Sequence, residues 1–195
     1  KVMEASSEPS YAEQGVTTYR RTCALIGEGA DRYLLDIFRV VGGTQHDYLF
    51  HSFTENATVE GVSLGQEEPG SLAGPDLWLG DKQLIVGDLS GIPNKPYWNP
   101  PPGNGYGFLV RPQRARTEKA WQAEWTLRDA SKTRFRLLMA AQPGTEVITA
   151  RAPGIYPTHP KARYVIARRK SVDGAGSLTS SFASVVSAYA PRQYG

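Results

Sequence analysis

One cysteine, Cys23, is all that the chain of 195 residues contains. No internal disulfide can form, the redox compartment stays open, and the thiol reads as a buried structural group rather than a nucleophile. Nor is there a run of about 18 apolar residues, which excludes a membrane-spanning helix. No phosphate-cradling glycine loop, nucleophile elbow or paired-cysteine zinc signature occurs. Histidines are few: His46, His51 and His159. His46 and His51 are five apart, so an extended strand points them to opposite faces and they cannot share a metal without a bulge. The opening residues, KVMEASSEPS, lack the basic-then-apolar pattern of a secretion signal. Helical periodicity is missing throughout.

What is present is ordinary globular composition, 40% hydrophobic and 21% charged. The chain has the length of one all-β domain, enough to bury a self-sufficient core. Residues 1–195 are therefore read as a single β-sandwich domain or the larger part of one. The net charge is a mild +3. Basic residues cluster at Arg20-Arg21, at Arg111, Arg114, Arg116 and Lys119, at Arg134 and Arg136, and at Arg163, Arg168, Arg169 and Lys170. Such clusters are either solvated strand faces and loops, the reading that composition favours, or contacts for an acidic polymer.

The stretch Tyr19 to Phe53 organises the rest. Thr17 to Ile26 reads as a strand, and Arg32 to Val41 as a second, rich in β-branched and aromatic residues. Gly42-Gly43 then supplies the positive φ of a tight hairpin. That turn predicts Val41 opposite Thr44, Arg39 opposite His46, Ile37 opposite Tyr48 and Leu35 opposite Phe50. The face holding Tyr33, Leu35 and Ile37 is almost wholly apolar and should pin the register. Ala57 to Leu64 reads as a short strand, and Gly65 to Gly74 as turns.

Further on, Ala120 to Leu127 alternates cleanly, with Trp121, Ala123, Trp125 and Leu127 inward. A turn at Asp129-Ala130-Ser131 leads to Phe135, Leu137 and Met139 on the same face. Thr145 to Ala150, Arg163 to Lys170 and Leu178 to Tyr189 are strands, the last two closing the fold across Asp173-Gly174-Ala175-Gly176. Strands at short intervals with no helices between them predict an all-β antiparallel sandwich, essentially without helix.

The loop Gly91 to Gly107 is long and proline-rich, and loops of this kind often carry function. Tyr97, Trp98 and Tyr106 offer flat faces to a sugar ring, or else anchor the loop onto the sandwich. Asn56-Ala57-Thr58 fits a glycosylation acceptor.

The run from Asp31 to Gly43, followed by His46-Asp47-Tyr48 and His51, resembles the C-terminal region of heparinase II/III-type polysaccharide lyases. Tyr19-Arg20-Arg21-Thr22, Gly105-Tyr106 with Phe108 and Leu109, the Trp121 to Trp125 strand, and Tyr164 to Arg169 leading into Ser180-Ser181-Phe182 follow in the same order. In that family an (α/α) toroid precedes a β-sandwich, and this chain is similar to the latter part of that super-sandwich alone. The resemblance implies a C-terminal fragment of a longer chain whose toroid is absent. It implies eliminative cleavage of a uronic-acid-containing polysaccharide by the parent, in which a base takes the proton beside the carboxylate.

The family's catalytic Tyr and His lie in the toroid. Its His-x-His and His-Asn patterns, which supply a catalytic histidine and metal ligands, are missing here. No catalytic or metal residue is therefore carried over, and the chain alone is expected to be catalytically silent. No cofactor is expected in this chain, and a parent's divalent metal, zinc by resemblance, would be held by residues outside it. Arg39, His46, Tyr97, Trp98 and Tyr106 are the candidate substrate-binding residues; His46 could instead cap the apolar face near the turn. The partners implied are an acidic polysaccharide and the parent's toroid, with no nucleic acid and no membrane, in a secreted or periplasmic setting. The alternatives are a free-standing carbohydrate-binding module, or a structural or interaction domain with no ligand.

Overall fold

The computed structural model describes residues 1–75, 105–129, 131–152, 161–172, 174 and 177–190. Their eleven strands are β1 (Val2–Ser6), β2 (Thr18–Ile26), β3 (Tyr33–Val41), β4 (Gln45–His51), β5 (Ala57–Glu60), β6 (Val110–Thr117), β7 (Trp121–Thr126), β8 (Arg134–Met139), β9 (Thr145–Ala152), β10 (Ala162–Lys170) and β11 (Thr179–Tyr189). The only helical pieces among the described residues are 3-10 turns at Glu8–Gln14, Gly29–Asp31 and Tyr106–Phe108. None is long and apolar enough to cross a membrane. The protein is an all-β antiparallel sandwich, as its turn-punctuated strands predict.

A seven-stranded sheet runs in the order β1-β2-β3-β11-β8-β7-β5, and a four-stranded sheet in the order β4-β10-β9-β6. Every pairing is antiparallel. Between the sheets lies the main core, built on Phe38, Tyr48, Trp121, Trp125, Leu137, Val147, Val165 and Phe182. The alternation read from Trp121 to Trp125 is this core's β7 contribution: Trp121 is 2% exposed, and Ala123 and Trp125 are 0%. The smaller sheet is covered on its other face too. There Ile148, Ala150 and Ile166 pack under Leu72, Tyr106 and Leu109. Two covered faces explain the near-continuous apolar run of β10, Val165 to Ala167.

Two predicted hairpins do not form. β3 and β4 belong to different sheets, so Arg39 is not opposite His46 and Ile37 is not opposite Tyr48. Both edges of β3 are taken instead, by β2 (Cys23↔Asp36) and by β11 (Phe182↔Phe38). Gly42-Gly43 carries the chain across the sandwich at φ 107° and 70°. A Cβ on Gly42 would sit 2.0 Å from the Gly15 carbonyl oxygen, so position 42 admits only glycine. β10 and β11 likewise lie in opposite sheets rather than closing the fold as a pair.

The inward face of β3 is also the reverse of the one predicted. Asp36, Phe38 and Val40 are buried, while Tyr33, Leu35, Ile37 and Arg39 point outward. This outer face of β3 is part of a longer apolar row. Val2, Ala24, Leu35, Val185 and Leu138 align in register across five neighbouring strands. Val2 stays 70% exposed and Leu138 44%.

Candidate functional site: a cleft beside the free edge of β4

The larger sheet overhangs the smaller one. β4 is an outer strand of its sheet, while β3 opposite it is continued by β2 and β1. Under that overhang runs a cleft of about 580 Å³, lined among others by Tyr11, Tyr19, Phe38, His46, Asp47 and Tyr106. An adjoining hollow of about 350 Å³ shares Tyr19, Phe38, Asp47 and Leu49 and adds Ser6, Ser7, Arg21 and Tyr48. The two form one groove along β4.

Its aromatic wall is built in sequence order. Tyr11, from the first 3-10 turn, stacks on Tyr19 at 4.4 Å between centroids. Tyr19 meets Phe38 edge-on at 5.0 Å. Burial and the neighbouring Tyr11 push the Tyr19 phenol up to about 12, so it is a neutral donor at physiological pH.

At one end sits His46, 6% exposed. Its Nε2 is 2.5 Å from the Gly42 carbonyl and its Nδ1 is 2.8 Å from Ser180 Oγ. Gly42 can only accept, so Nε2 carries the proton and Nδ1 accepts from the serine hydroxyl. Burial pulls the imidazole below its ordinary value. His46 therefore caps the sandwich at the crossing, opposite Arg169 rather than Arg39, and it also lines the cleft.

Asp47 lies on the opposite face of β4. Arg168 grips it with both prongs of the guanidinium, Nε to Oδ1 at 2.8 Å and Nη2 to Oδ2 at 2.7 Å. The Tyr106 hydroxyl donates to the same carboxylate, and its ring lies 5.6 Å from the Arg168 guanidinium. Burial and the carboxylate together raise the Tyr106 phenol. Both charged side chains are only 5% exposed. This constellation ties the Tyr106–Phe108 turn to the outer face of the small sheet.

Behind the groove residues Arg21 and Tyr48 lies a second buried carboxylate. Asp36, 1% exposed, accepts from Arg21 Nε at 2.9 Å and Nη2 at 2.5 Å. Tyr48 donates to it from the other sheet at 2.8 Å, and Ser184 lies 3.0 Å from the Tyr48 hydroxyl. Hydrogen bonding to Asp36 raises the Arg21 pKa above its normal value. The Arg21 side chain remains 46% exposed, which leaves a fixed cation facing the groove. Cys23 points its thiol toward Asp36 at 3.6 Å, a structural setting in which burial raises its pKa.

Of the predicted binding residues, His46 and Tyr106 come together in this groove. Arg39 does not: it lies on the outer face of β3, 3.7 Å from Glu4. Tyr97 and Trp98 lie outside the described residues. His51 is on the outer side of β4, stacked on Tyr164 at 4.3 Å, away from His46 as their spacing requires. Sequence reasoning missed Tyr11 and Asp47 as groove residues and weighed Arg21 for binding only as part of a basic cluster. The one available signal was a charge in an otherwise apolar strand, at Asp36 and Asp47, which implies a buried cation partner.

Among the described residues no three His, Cys, Asp or Glu side chains converge as a metal site would require. Chemically, the groove can stack a ring and donate hydrogen bonds, including from the exposed edge of the Arg21 guanidinium. No model of a known protein family matches the chain, and no curated protein matches it significantly.

Proposed function

We propose that this chain is the non-catalytic C-terminal β-sandwich of a heparinase II/III-like polysaccharide lyase. In this reading it packs on the parent's toroid and helps to line the substrate cleft with the groove beside β4. The observation that carries the reading is the outward apolar row Val2, Ala24, Leu35, Val185 and Leu138, which crosses five strands in register. In this reading the parent's toroid covers that exposed apolar strip. The parent would cleave an acidic, uronic-acid-containing polysaccharide by elimination, and such a polymer is met outside the cytoplasm, in a secreted or periplasmic setting.

The groove itself favours a second reading, a carbohydrate-binding module that works without the toroid. Tyr11 and Tyr19 supply ring faces, and the Arg21 guanidinium supplies a partner for a uronate carboxylate.

An absorbance assay for unsaturated uronides over a panel of acidic polysaccharides separates these possibilities. Activity in the full-length parent and none in the isolated chain is the expected result. Activity in the isolated chain would overturn the non-catalytic assignment. Affinity electrophoresis of the isolated chain in polyuronate gels addresses the second reading: retardation that Tyr19→Ala weakens roughly 3- to 10-fold supports it. Unretarded migration argues against it.

A further inference from the structure

At the far end of the small sheet, away from the groove, two arginines share one carboxylate and a third faces one of them across the strands. Arg163 in β10 is directly opposite Arg151 in β9. Like charges facing each other across an antiparallel pair oppose folding. The Glu67 carboxylate takes Arg151 Nη2 at 2.6 Å and lies 3.9 Å from Arg111 Nη1. Among the described residues no carboxylate reaches ion-pair distance of Arg163. Burial and the charge of Arg151 both depress its pKa, and Glu67 and Glu55 offset this only in part. Among the described residues, the buried Nε atoms of Arg151 and Arg163 find no hydrogen-bond partner. The cluster thus holds more positive charge, and more N–H donors, than the described residues around it satisfy.

A backbone irregularity points the same way. Val110 pairs with Arg151 and Gln113 with Thr149, so Arg111 and Pro112 on β6 oppose the single residue Ala150 on β9. This is a β-bulge, a device that re-aims a side chain. Arg111 adopts φ 50° within it, a conformation that glycine takes freely and arginine only under strain. The Arg111 guanidinium reaches toward Glu67, the carboxylate that Arg151 also grips. A purely structural bulge would be better served by glycine.

We propose that Arg111, Arg151 and Arg163 form a binding site for a tetrahedral oxyanion, a sulfate or phosphate group. Guanidinium forks match such an anion's geometry, and its negative charge offsets the repulsion between Arg151 and Arg163. The site stands apart from the groove. Arg163 is six residues along β10 from Arg169, which pairs with His46, a separation of about 20 Å along the strand. It does not depend on the lyase reading. The same chemistry could come from a free inorganic anion or from a sulfate ester on a glycan.

The test is thermal unfolding of the full chain, titrated with sodium sulfate and with sodium phosphate against sodium chloride at matched ionic strength. The wild type should show a saturable rise in Tm of about 3–5 °C at tenfold saturation. Arg163→Gln should abolish the saturable part and keep only the gradual salting effect common to all folded proteins. Arg111→Gly provides a variant that should not unfold. It relieves the strained φ, so its Tm without anion should match or exceed wild type while its response to sulfate falls.

A sulfated glycan disaccharide and its desulfated counterpart then distinguish the sources. Saturation by the sulfated sugar at lower concentration than inorganic sulfate identifies an ester group as the ligand. A response to the inorganic anions alone identifies a free-ion site. Identical, non-saturable curves for wild type and Arg163→Gln would overturn the site altogether.

Discussion

The Tyr48 hydroxyl reaches from the small sheet to donate to Asp36 of the large sheet at 2.8 Å. This bond joins the two layers through a carboxylate that the Arg21 guanidinium also grips, at 2.9 Å from Nε. A buried carboxylate without such partners would be strongly disfavoured. The core of the sandwich thus contains a charged pin at the position where the groove begins.

Removing the carboxylate should uncover the worth of that pin. Asp36→Ala leaves Arg21 without its carboxylate and Tyr48 with only the Ser184 hydroxyl, and should cost about 2–3 kcal/mol, less than for a fully buried pair because Arg21 is half-exposed. Tyr48→Phe loses one neutral donor and should cost about 1 kcal/mol. Urea unfolding of both variants checks the ratio; equal losses would show that the Arg21 pair contributes nothing.

The crossing between sheets should be intolerant at one glycine and permissive at the next. Gly42→Ala drives a methyl against the Gly15 carbonyl at φ 107° and should cost more than about 2 kcal/mol. Gly43→Ala meets nothing nearer than 3.7 Å and should cost about 1 kcal/mol for its left-handed φ. Chemical denaturation of the two variants side by side gives the answer.

Stability should fall on mild acidification because of His46. Burial depresses its folded-state pKa below the unfolded value. The unfolded chain therefore binds the extra proton first, and stability rises with pH across that window. The contribution is complete above the unfolded value and is lost as pH falls toward the folded one. The urea midpoint should drop between pH 7.5 and pH 5.5, where unperturbed carboxylates stay ionised. His46→Gln should flatten that slope; an unchanged slope would assign it elsewhere.

Arg168 should not tolerate lysine. Its two-pronged grip on Asp47 and its contact with the Tyr106 ring need a planar guanidinium. Arg168→Lys should cost about 1–2 kcal/mol. It should also loosen the Tyr106–Phe108 turn, seen as faster amide hydrogen exchange there. Exchange that stays at the wild-type rate would mean that the turn is held by packing alone.

Much of the fold was readable in one dimension, and the limit falls at an identifiable place. Strand positions such as Trp121–Thr126 announce themselves because side-chain alternation is a local consequence of the extended backbone. The same alternation could not say which face of β3 is buried. Its apolar face, with Leu35 and Ile37, points outward, while the face carrying Asp36 is the core. That inversion depends on Arg21 and Tyr48, which lie 15 and 12 residues away in sequence.

Pairing was the other limit. Gly42-Gly43 has the local chemistry of a hairpin turn, and within its own few residues nothing distinguishes a hairpin from a crossing. The distinction arises because β2 and β11 occupy both edges of β3, which forces β4 into the other sheet. The groove follows from that exclusion, since it opens where the larger sheet extends past β4. Sequence alone determined that this chain is a turn-punctuated antiparallel β protein with aromatic, alternating strands, because those properties are set by neighbours along the backbone. Only the tertiary structure decided which strands share a sheet, which charges are buried and where a ligand could lie, because those depend on competition among distant segments for the same hydrogen bonds and the same core.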